Sequence, residues 1–202
     1  MRKLLITLTF ILSSCTQLGT KTASESSPET LKLKWREHQQ ALKKIHSWNI
    51  KGRIGFKTTN NAQSATFKWQ QEEERFKLHL AGALGLGSMN LEGSPAYIRL
   101  QQANGRIIQS NNPEALLQTE TGWILPISHI SPWLLGHPGD DKRKTTQVVL
   151  NQSGQLSRFN HSTWQIQYSK YHLVNNLDLP HKLIISNNEV KVTIIIKDWV
   201  LN

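Results

Sequence analysis

Ala65-Thr66-Phe67-Lys68-Trp69-Gln70-Gln71-Glu72-Glu73-Glu74-Arg75-Phe76-Lys77-Leu78-His79-Leu80 reads as strand, charged turn and strand. Phe67 and Trp69 alternate with Thr66 and Lys68, and Phe76, Leu78 and Leu80 alternate with Arg75, Lys77 and His79. Period two is the signature of a β-strand with one wet and one buried face. Three consecutive glutamates do not continue a buried face, so Glu72 to Glu74 mark the turn.

The same pattern extends both ways. Upstream, Trp48, Ile50, Ile54 and Phe56 alternate with Lys51, Arg53 and Lys57, and Asn60-Asn61 reads as the turn into the quoted hairpin. Downstream, Met89 and Leu91 start a strand that ends at Gly93-Ser94-Pro95, and Tyr97–Leu100 and Arg106–Gln109 flank Asn104-Gly105, a strong hairpin dipeptide. Val148–Leu150, Leu156–Phe159, Trp164–Tyr168, Lys182–Ile185 and Val190–Trp199 complete the series, separated by Ser153-Gly154, Asn175-Asn176 and Asn187-Asn188. Many short strands at regular spacing predict an antiparallel sheet curled into a barrel or half-barrel. Trp48, Ile50, Phe56, Phe67, Trp69, Phe76, Leu78, Leu80, Met89, Leu91, Trp164 and Tyr168 are the large residues expected inside. Such a face makes either a filled core or the wall of a hydrophobic cavity, and alternation does not choose between them.

Between Leu80 and Met89 the chain reads Ala81-Gly82-Ala83-Leu84-Gly85-Leu86-Gly87-Ser88, without a charge. Loops run over a wet surface and are normally polar. Gly85 permits a sharp turn, while Leu84 and Leu86 add apolar bulk. Either these leucines fold back on the core, or the loop touches a membrane or an apolar cargo.

Three helices are expected. Ser27-Pro28-Glu29 starts one with an N-cap, a first-turn proline and a first-turn acid, and an apolar stripe of Leu31, Trp35, His38, Leu42 and Ile45 carries it to about Ile45. Asn112-Pro113-Glu114 starts a second. A short apolar helix spans Ile130 to Leu135, with Pro132 in its first turn and a stop at Gly136.

The N-terminus addresses the compartment. Arg2-Lys3 precedes an apolar run from Leu4 to Leu12, the length of a signal peptide's core and too short to span a bilayer. Leu12-Ser13-Ser14-Cys15 matches a lipobox, in which the chain is cut before Cys15 and the thiol is acylated; the alternative is an ordinary secretory leader with a chance Cys. Cys15 is the only cysteine, and acylation would leave no free thiol in an oxidising compartment. Residues 1–14 are therefore read as leader, 15–28 as lipid anchor and Ser/Thr-rich tether, and 29–202 as one domain. Net charge is +10, and +8 once Arg2 and Lys3 are removed. A basic exported chain fits anionic lipid head groups, and no nucleic-acid-binding motif is present.

Enzyme chemistry has no foothold. The 8 histidines are isolated and expected mostly at the surface, and no set has zinc spacing. Gly82-x-x-Gly85-x-Gly87 lacks the Lys-Ser/Thr of a phosphate loop, and no nucleophile elbow occurs. No catalytic residue, metal or cofactor is expected.

The ordered set of Trp35-Arg36-Glu37-His38-Gln39-Gln40, Gly52-Arg53, Phe67-Lys68-Trp69-Gln70-Gln71, Ala83-Leu84-Gly85, Gly122-Trp123-Ile124-Leu125-Pro126-Ile127, Trp133-Leu134-Leu135-Gly136-His137-Pro138-Gly139, Trp164-Gln165-Ile166-Gln167-Tyr168 and Lys197-Asp198-Trp199, behind a lipobox, resembles the LolB family of outer-membrane lipoprotein receptors. The resemblance covers nearly the whole chain after Cys15. It implies an incomplete antiparallel barrel of about eleven strands, closed by helices over a hydrophobic cavity. It implies a monomer anchored at Cys15 on the periplasmic face of the outer membrane. Such a protein takes the acyl chains of lipoproteins from the periplasmic carrier LolA and delivers them to outer-membrane phospholipid, with no covalent step and no ATP. Thr16, rather than Asp, after the anchor agrees with outer-membrane delivery. The resemblance gives Leu84 the membrane-inserting role, with Leu86 a second candidate; Ala83 stands where the family often has Pro. The competing reading is an adaptor lipoprotein that binds an envelope protein around a filled core.

Overall fold

The computed structural model describes residues 27–82 and 87–202. The leader, Cys15, most of the tether, and Leu84, Gly85 and Leu86 lie outside the described residues.

One eleven-stranded antiparallel sheet forms the body. Its strands are β1 (Ser47–Thr58), β2 (Ala62–Glu72), β3 (Arg75–Ala81), β4 (Met89–Ser94), β5 (Tyr97–Gln102), β6 (Ile107–Ser110), β7 (Thr145–Leu150), β8 (Leu156–His161), β9 (Trp164–Val174), β10 (Leu177–Ser186) and β11 (Val190–Leu201). The spatial order is β6-β5-β4-β3-β2-β1-β11-β10-β9-β8-β7. Two meanders thus grow outward from a central seam in which Trp48 faces Leu201 and Thr58 faces Val190. β6 and β7 do not pair, so the barrel stays open. All the sheet pairing and the buried core lie within residues 42–201, so the domain carries its own fold.

Each long strand alternates as its sequence predicts. In β2, Ala65, Phe67, Trp69 and Gln71 are buried between exposed neighbours, and in β3 Phe76, Leu78 and Leu80 are buried between exposed or half-buried ones. Gly52 shows why one position in β1 has no side chain: a Cβ there would collide with the Ile195 carbonyl, where β11 approaches at a bulge.

Helix α1 (Pro28–Leu42) begins as expected: Ser27 Oγ accepts the Thr30 N–H at 3.2 Å. It ends three residues before Ile45, in a tight turn leading to β1. Helix α2 (Pro113–Thr121) is capped by Asn112, whose Oδ1 accepts the Ala115 N–H, and stops at Gly122 in the left-handed region, φ 72°.

Helix α3 (Ile127–Leu134) departs from its sequence reading. It starts three residues earlier than expected, so Pro132 sits inside it rather than in its first turn. The early start is stabilised from outside, because the Ser128 N–H and hydroxyl both donate to the Glu114 carboxylate of α2. At its end Gly136, φ 83°, closes a Schellman turn in which the His137 N–H reaches the Pro132 carbonyl at 3.0 Å.

Candidate functional site

The apolar face of the sheet is covered by α2, the link 122–126 and α3. Between the two layers lies a cavity of about 20 Å³. From the sheet it is walled by Ile54, Phe67, Trp69, Leu78, Leu80, Leu91 and Ile194, and from the helical side by Leu117, Trp123, Leu125, Ile127, Ile130 and Leu134. Among the described residues the wall carries no charged side chain. A space of this size takes one water-sized body, whereas ligand pockets run to roughly 300–1,000 Å³.

Five residues expected in the lining face this cavity: Phe67, Trp69, Leu78, Leu80 and Leu91. Trp48, Ile50, Phe76, Met89 and Tyr168 are buried away from it, and Trp164 is half-buried. Trp48, Trp69, Phe76 and Trp199 form an aromatic cluster, with Trp69–Phe76 centroids 5.0 Å apart and Trp48–Trp199 5.4 Å. The Trp69 indole N–H donates to Gln71 Oε1 at 2.8 Å, and that of Trp199 to the Pro180 carbonyl at 3.2 Å. Phe56 stands at the rim instead, in a second opening of about 200 Å³ shared with Thr58, Asn61, Gln63, Thr121, Gly122, Trp123, Ile124 and Val190. Its ring stacks on Trp123.

Six wall residues come from the helical cover, and sequence reasoning missed them all. Four of them lie in the apolar run Trp123–Ile130, which has no period that assigns a partner surface; Leu117 and Leu134 lie in the short helices on either side of it.

The cover is bound more by apolar contact than by polar links. Among the described residues, side-chain hydrogen bonds from the sheet side reach it at two places. Glu120 Oε2 accepts from Arg106 Nη1 at 3.2 Å and from Gln102 Nε2 at 3.3 Å; Tyr168 Oη donates to the Trp133 carbonyl at 2.9 Å. Burial pushes the Tyr168 phenol well above its ordinary range, with Tyr171 adding to the shift, so it stays a donor. Glu114 joins α2 to α3 and not to the sheet. The two helices are therefore pinned to each other and rest on a greasy bed. The buried Trp123 indole N–H has no hydrogen-bond partner among the described residues.

The histidines are less superficial than their isolation suggested. His46, His129 and His172 are exposed, but His137 and His161 are buried behind α3. Burial holds both below the ordinary histidine range. Asp140 opposes the effect at His137, and Lys43 and His38 reinforce it. His137 Nδ1 accepts the Gly139 N–H at 3.1 Å, which requires the neutral ring. Among the described residues no group of His, Cys, Asp and Glu could hold a metal ion.

Wider depressions of about 750 and 610 Å³ lie on the opposite face of the sheet. Charged and amide side chains such as Gln70, Glu72, Arg75 and Lys77 line the first, which does not suit an alkyl chain, while the second mixes Lys51, Lys68 and Asp198 with Trp199 and Val200.

Residues 46–199 match the family model described as "Outer membrane lipoprotein LolB". The chain is 32% identical over 193 residues to the outer-membrane lipoprotein LolB of Pseudomonas putida (strain GB-1), covering 96% of this chain and 92% of that one. It is 32% identical over 189 residues to the LolB of Pseudomonas aeruginosa (strain LESB58), covering 94% and 90%. Among solved structures, a LolA superfamily protein from Nitrosomonas europaea shares the fold at TM-score 0.54 and 9% identity, covering 82% of this chain and 93% of that one. A DUF1329 family protein from Desulfovibrio piger does so at TM-score 0.58 and 6% identity, covering 86% and 92%.

Proposed function

This chain belongs to the LolB family of outer-membrane lipoproteins, and from that premise we propose that it receives lipoprotein acyl chains from the carrier LolA between its sheet and helices α2–α3, then releases them into the outer membrane. The observation that carries the reading is the two-sided apolar wall, whose helical half is held to the sheet, among the described residues, by side-chain hydrogen bonds at two places. Loading requires the α2–α3 pair to lift, because the closed cavity of about 20 Å³ cannot hold an alkyl chain. The exchange is close to balanced. Each methylene that enters is worth about 0.8 kcal/mol, and it replaces apolar contact that the helices give up. No bond is made or broken, and the family is one of transport proteins rather than enzymes.

Delivery is assigned to the β3–β4 connection, with Leu84 leading and Leu86 beside it, and Cys15 as the lipid anchor that holds the domain against the bilayer. The narrow cavity is also the one observation that favours a second reading, an adaptor with a permanently filled core. Transfer separates the two. The domain 27–202 is mixed in solution with LolA carrying an acylated protein, and cargo is followed to the acceptor. Capture is expected; absence of capture, with the domain folded, leaves the adaptor. Leu84→Glu is expected to preserve capture and impair release into liposomes, because a carboxylate must be desolvated to enter a bilayer. Unfolding of that variant would make Leu84 a core residue.

A further inference from the structure

The outer face of β1, β2 and β11 carries a charge arrangement that folding alone does not favour. On adjacent antiparallel strands, like charges directly opposite one another are destabilising. Here Lys51 pairs with Lys68 across β1–β2, and Lys57 pairs with Lys191 across β1–β11. All four are exposed, and Arg53 stands on the same face between them. Lys51 is answered by Asp198 at 3.4 Å. Among the described residues Arg53, Lys57, Lys68 and Lys191 take part in no ion pair. The acids nearest this face in the register are Asp198 and, in the turn before Lys191, Glu189.

The Lys57–Lys191 pair stands at one end of this face, and Lys51–Lys68 nearer its middle. Thr58 faces Val190 at the tip of this end of the sheet, whereas Ala81 is level with Thr66 and Arg53, four residues short of the Lys57–Ala62 pair, and Met89 is level with Leu80. Lys57 and Lys191 lie one residue from that tip, and the β3–β4 connection leaves the sheet on the same side, about 13 Å short of them, level with Arg53. Glu72, Glu73 and Glu74 turn at the opposite end of β2, about 33 Å away at the rise of a β-strand. The Lys57–Lys191 pair is thus at the end remote from this acidic turn, where Arg75 pairs with Glu72. Ile195, 43% exposed, lies opposite Arg53 and adds an apolar side chain to the basic surface.

We infer that this face is a docking surface for a bilayer containing anionic phospholipid, with the Lys57–Lys191 edge toward the head groups. The inference rests on the membrane-delivery reading above and gives it an orientation. Repulsion between facing lysines is relieved when phosphates approach, and bases near an anionic surface contribute about 1 kcal/mol each, or roughly five-fold in partitioning. The acidic end is turned away by the same field.

The test uses the anchor-free domain 27–202 and co-sedimentation with phosphatidylcholine vesicles made with or without phosphatidylglycerol. Preferential, salt-sensitive binding to the anionic vesicles is expected. Lys57→Gln/Lys191→Gln should weaken it about 25-fold without lowering the melting temperature, since it removes a repelling pair. Lys44→Gln/Arg75→Gln, with the same loss of charge at the acidic end, should change it less than about two-fold. Equal binding to neutral vesicles, or equal weakening by both double variants, overturns the inference. So does a Lys57→Gln/Lys191→Gln protein that keeps vesicle binding but loses cargo capture in vesicle-free solution, which would assign the face to a protein partner. Capture in solution does not involve a bilayer. Lost vesicle preference with intact capture therefore removes this inference alone.

Discussion

The indole of Trp123 stacks on the ring of Phe56, with centroids 4.0 Å apart and planes 23° from parallel. Phe56 belongs to the sheet and Trp123 to the link between α2 and α3, so this pair closes the cavity where the helical cover meets the β1–β2 hairpin. Stacking of this kind adds about 0.5–1.5 kcal/mol to what burial supplies. Trp123→Ala should cost about 3–5 kcal/mol in urea unfolding and raise the binding of an apolar fluorescent probe. Trp123→Phe keeps a ring and removes a buried N–H that has no partner among the described residues. Its cost should stay under about 1.5 kcal/mol. Equal losses for the two variants would show that the ring contact does not hold the cover.

The seam between β1 and β11 makes Gly52 irreplaceable. Gly52→Ala forces a Cβ against the Ile195 carbonyl, which is backbone and cannot rotate away. A loss of about 1–3 kcal/mol or more is expected. Gly55 is three residues along the same strand, and the nearest atom to its added Cβ is the Gln63 carbonyl oxygen at 3.7 Å. Gly55→Ala should be neutral or gain up to about 1 kcal/mol by removing glycine's entropy cost. Paired denaturation curves check both.

Tyr168 holds α3 through its hydrogen bond to the Trp133 carbonyl. Tyr168→Phe removes one of that carbonyl's two hydrogen bonds and leaves the one from the Gly136 N–H, so it should lower stability by about 0.5–1.5 kcal/mol. If α3 lifts during loading, the same variant should also admit acyl cargo faster. Hydrogen exchange over residues 127–135 distinguishes a loosened helix from a merely less stable domain, because only the first accelerates exchange locally.

Acid should weaken the domain through His137 and His161. Both are neutral in the fold because burial lowers their pKa, while in the unfolded chain each titrates near 6.5. Between those values the unfolded chain binds more protons, so stability rises with pH. The contribution is present above about pH 6.5 and is lost as pH falls from there through the lowered folded value. The urea midpoint should therefore drop on going from about pH 7.5 to pH 5, and His137→Gln should flatten that dependence. An unchanged slope in the variant would mean that His137 is not among the groups responsible.

The sheet was legible because its code is local. Phe67-Lys68-Trp69 and Phe76-Lys77-Leu78 each state which side chain faces inward, and a hairpin fixes their register. Alternation does not give depth along a strand. Trp48 and Phe76 obey the same rule as Phe67 and Leu80, yet they fall in the aromatic cluster beyond the cavity. That position depends on where α2 and α3 lie, and long-range packing of the Trp123–Ile130 run has no periodic signature. Pro132 was misplaced because Glu114, fourteen residues before Ser128, supplies the cap that lets α3 start early. Most histidines are exposed or half-buried, as expected, and the buried pair His137 and His161 was not singled out because a lone histidine in sequence carries no mark of burial.

The pairing of β1 with β11 has a consequence for how the domain is made. It joins residues about 150 apart at the middle of the sheet, where Trp48 meets Leu201. Each meander can assemble by zipping neighbouring hairpins, which is fast, but the seam must await contact between the remotest strands, which is slow. Until it forms, each half exposes a long, apolar central edge of the kind that recruits other chains. Newly exported protein therefore passes through an interval of aggregation risk that ends with one pairing event. A holding chaperone would have most to gain by covering β1 until β11 arrives.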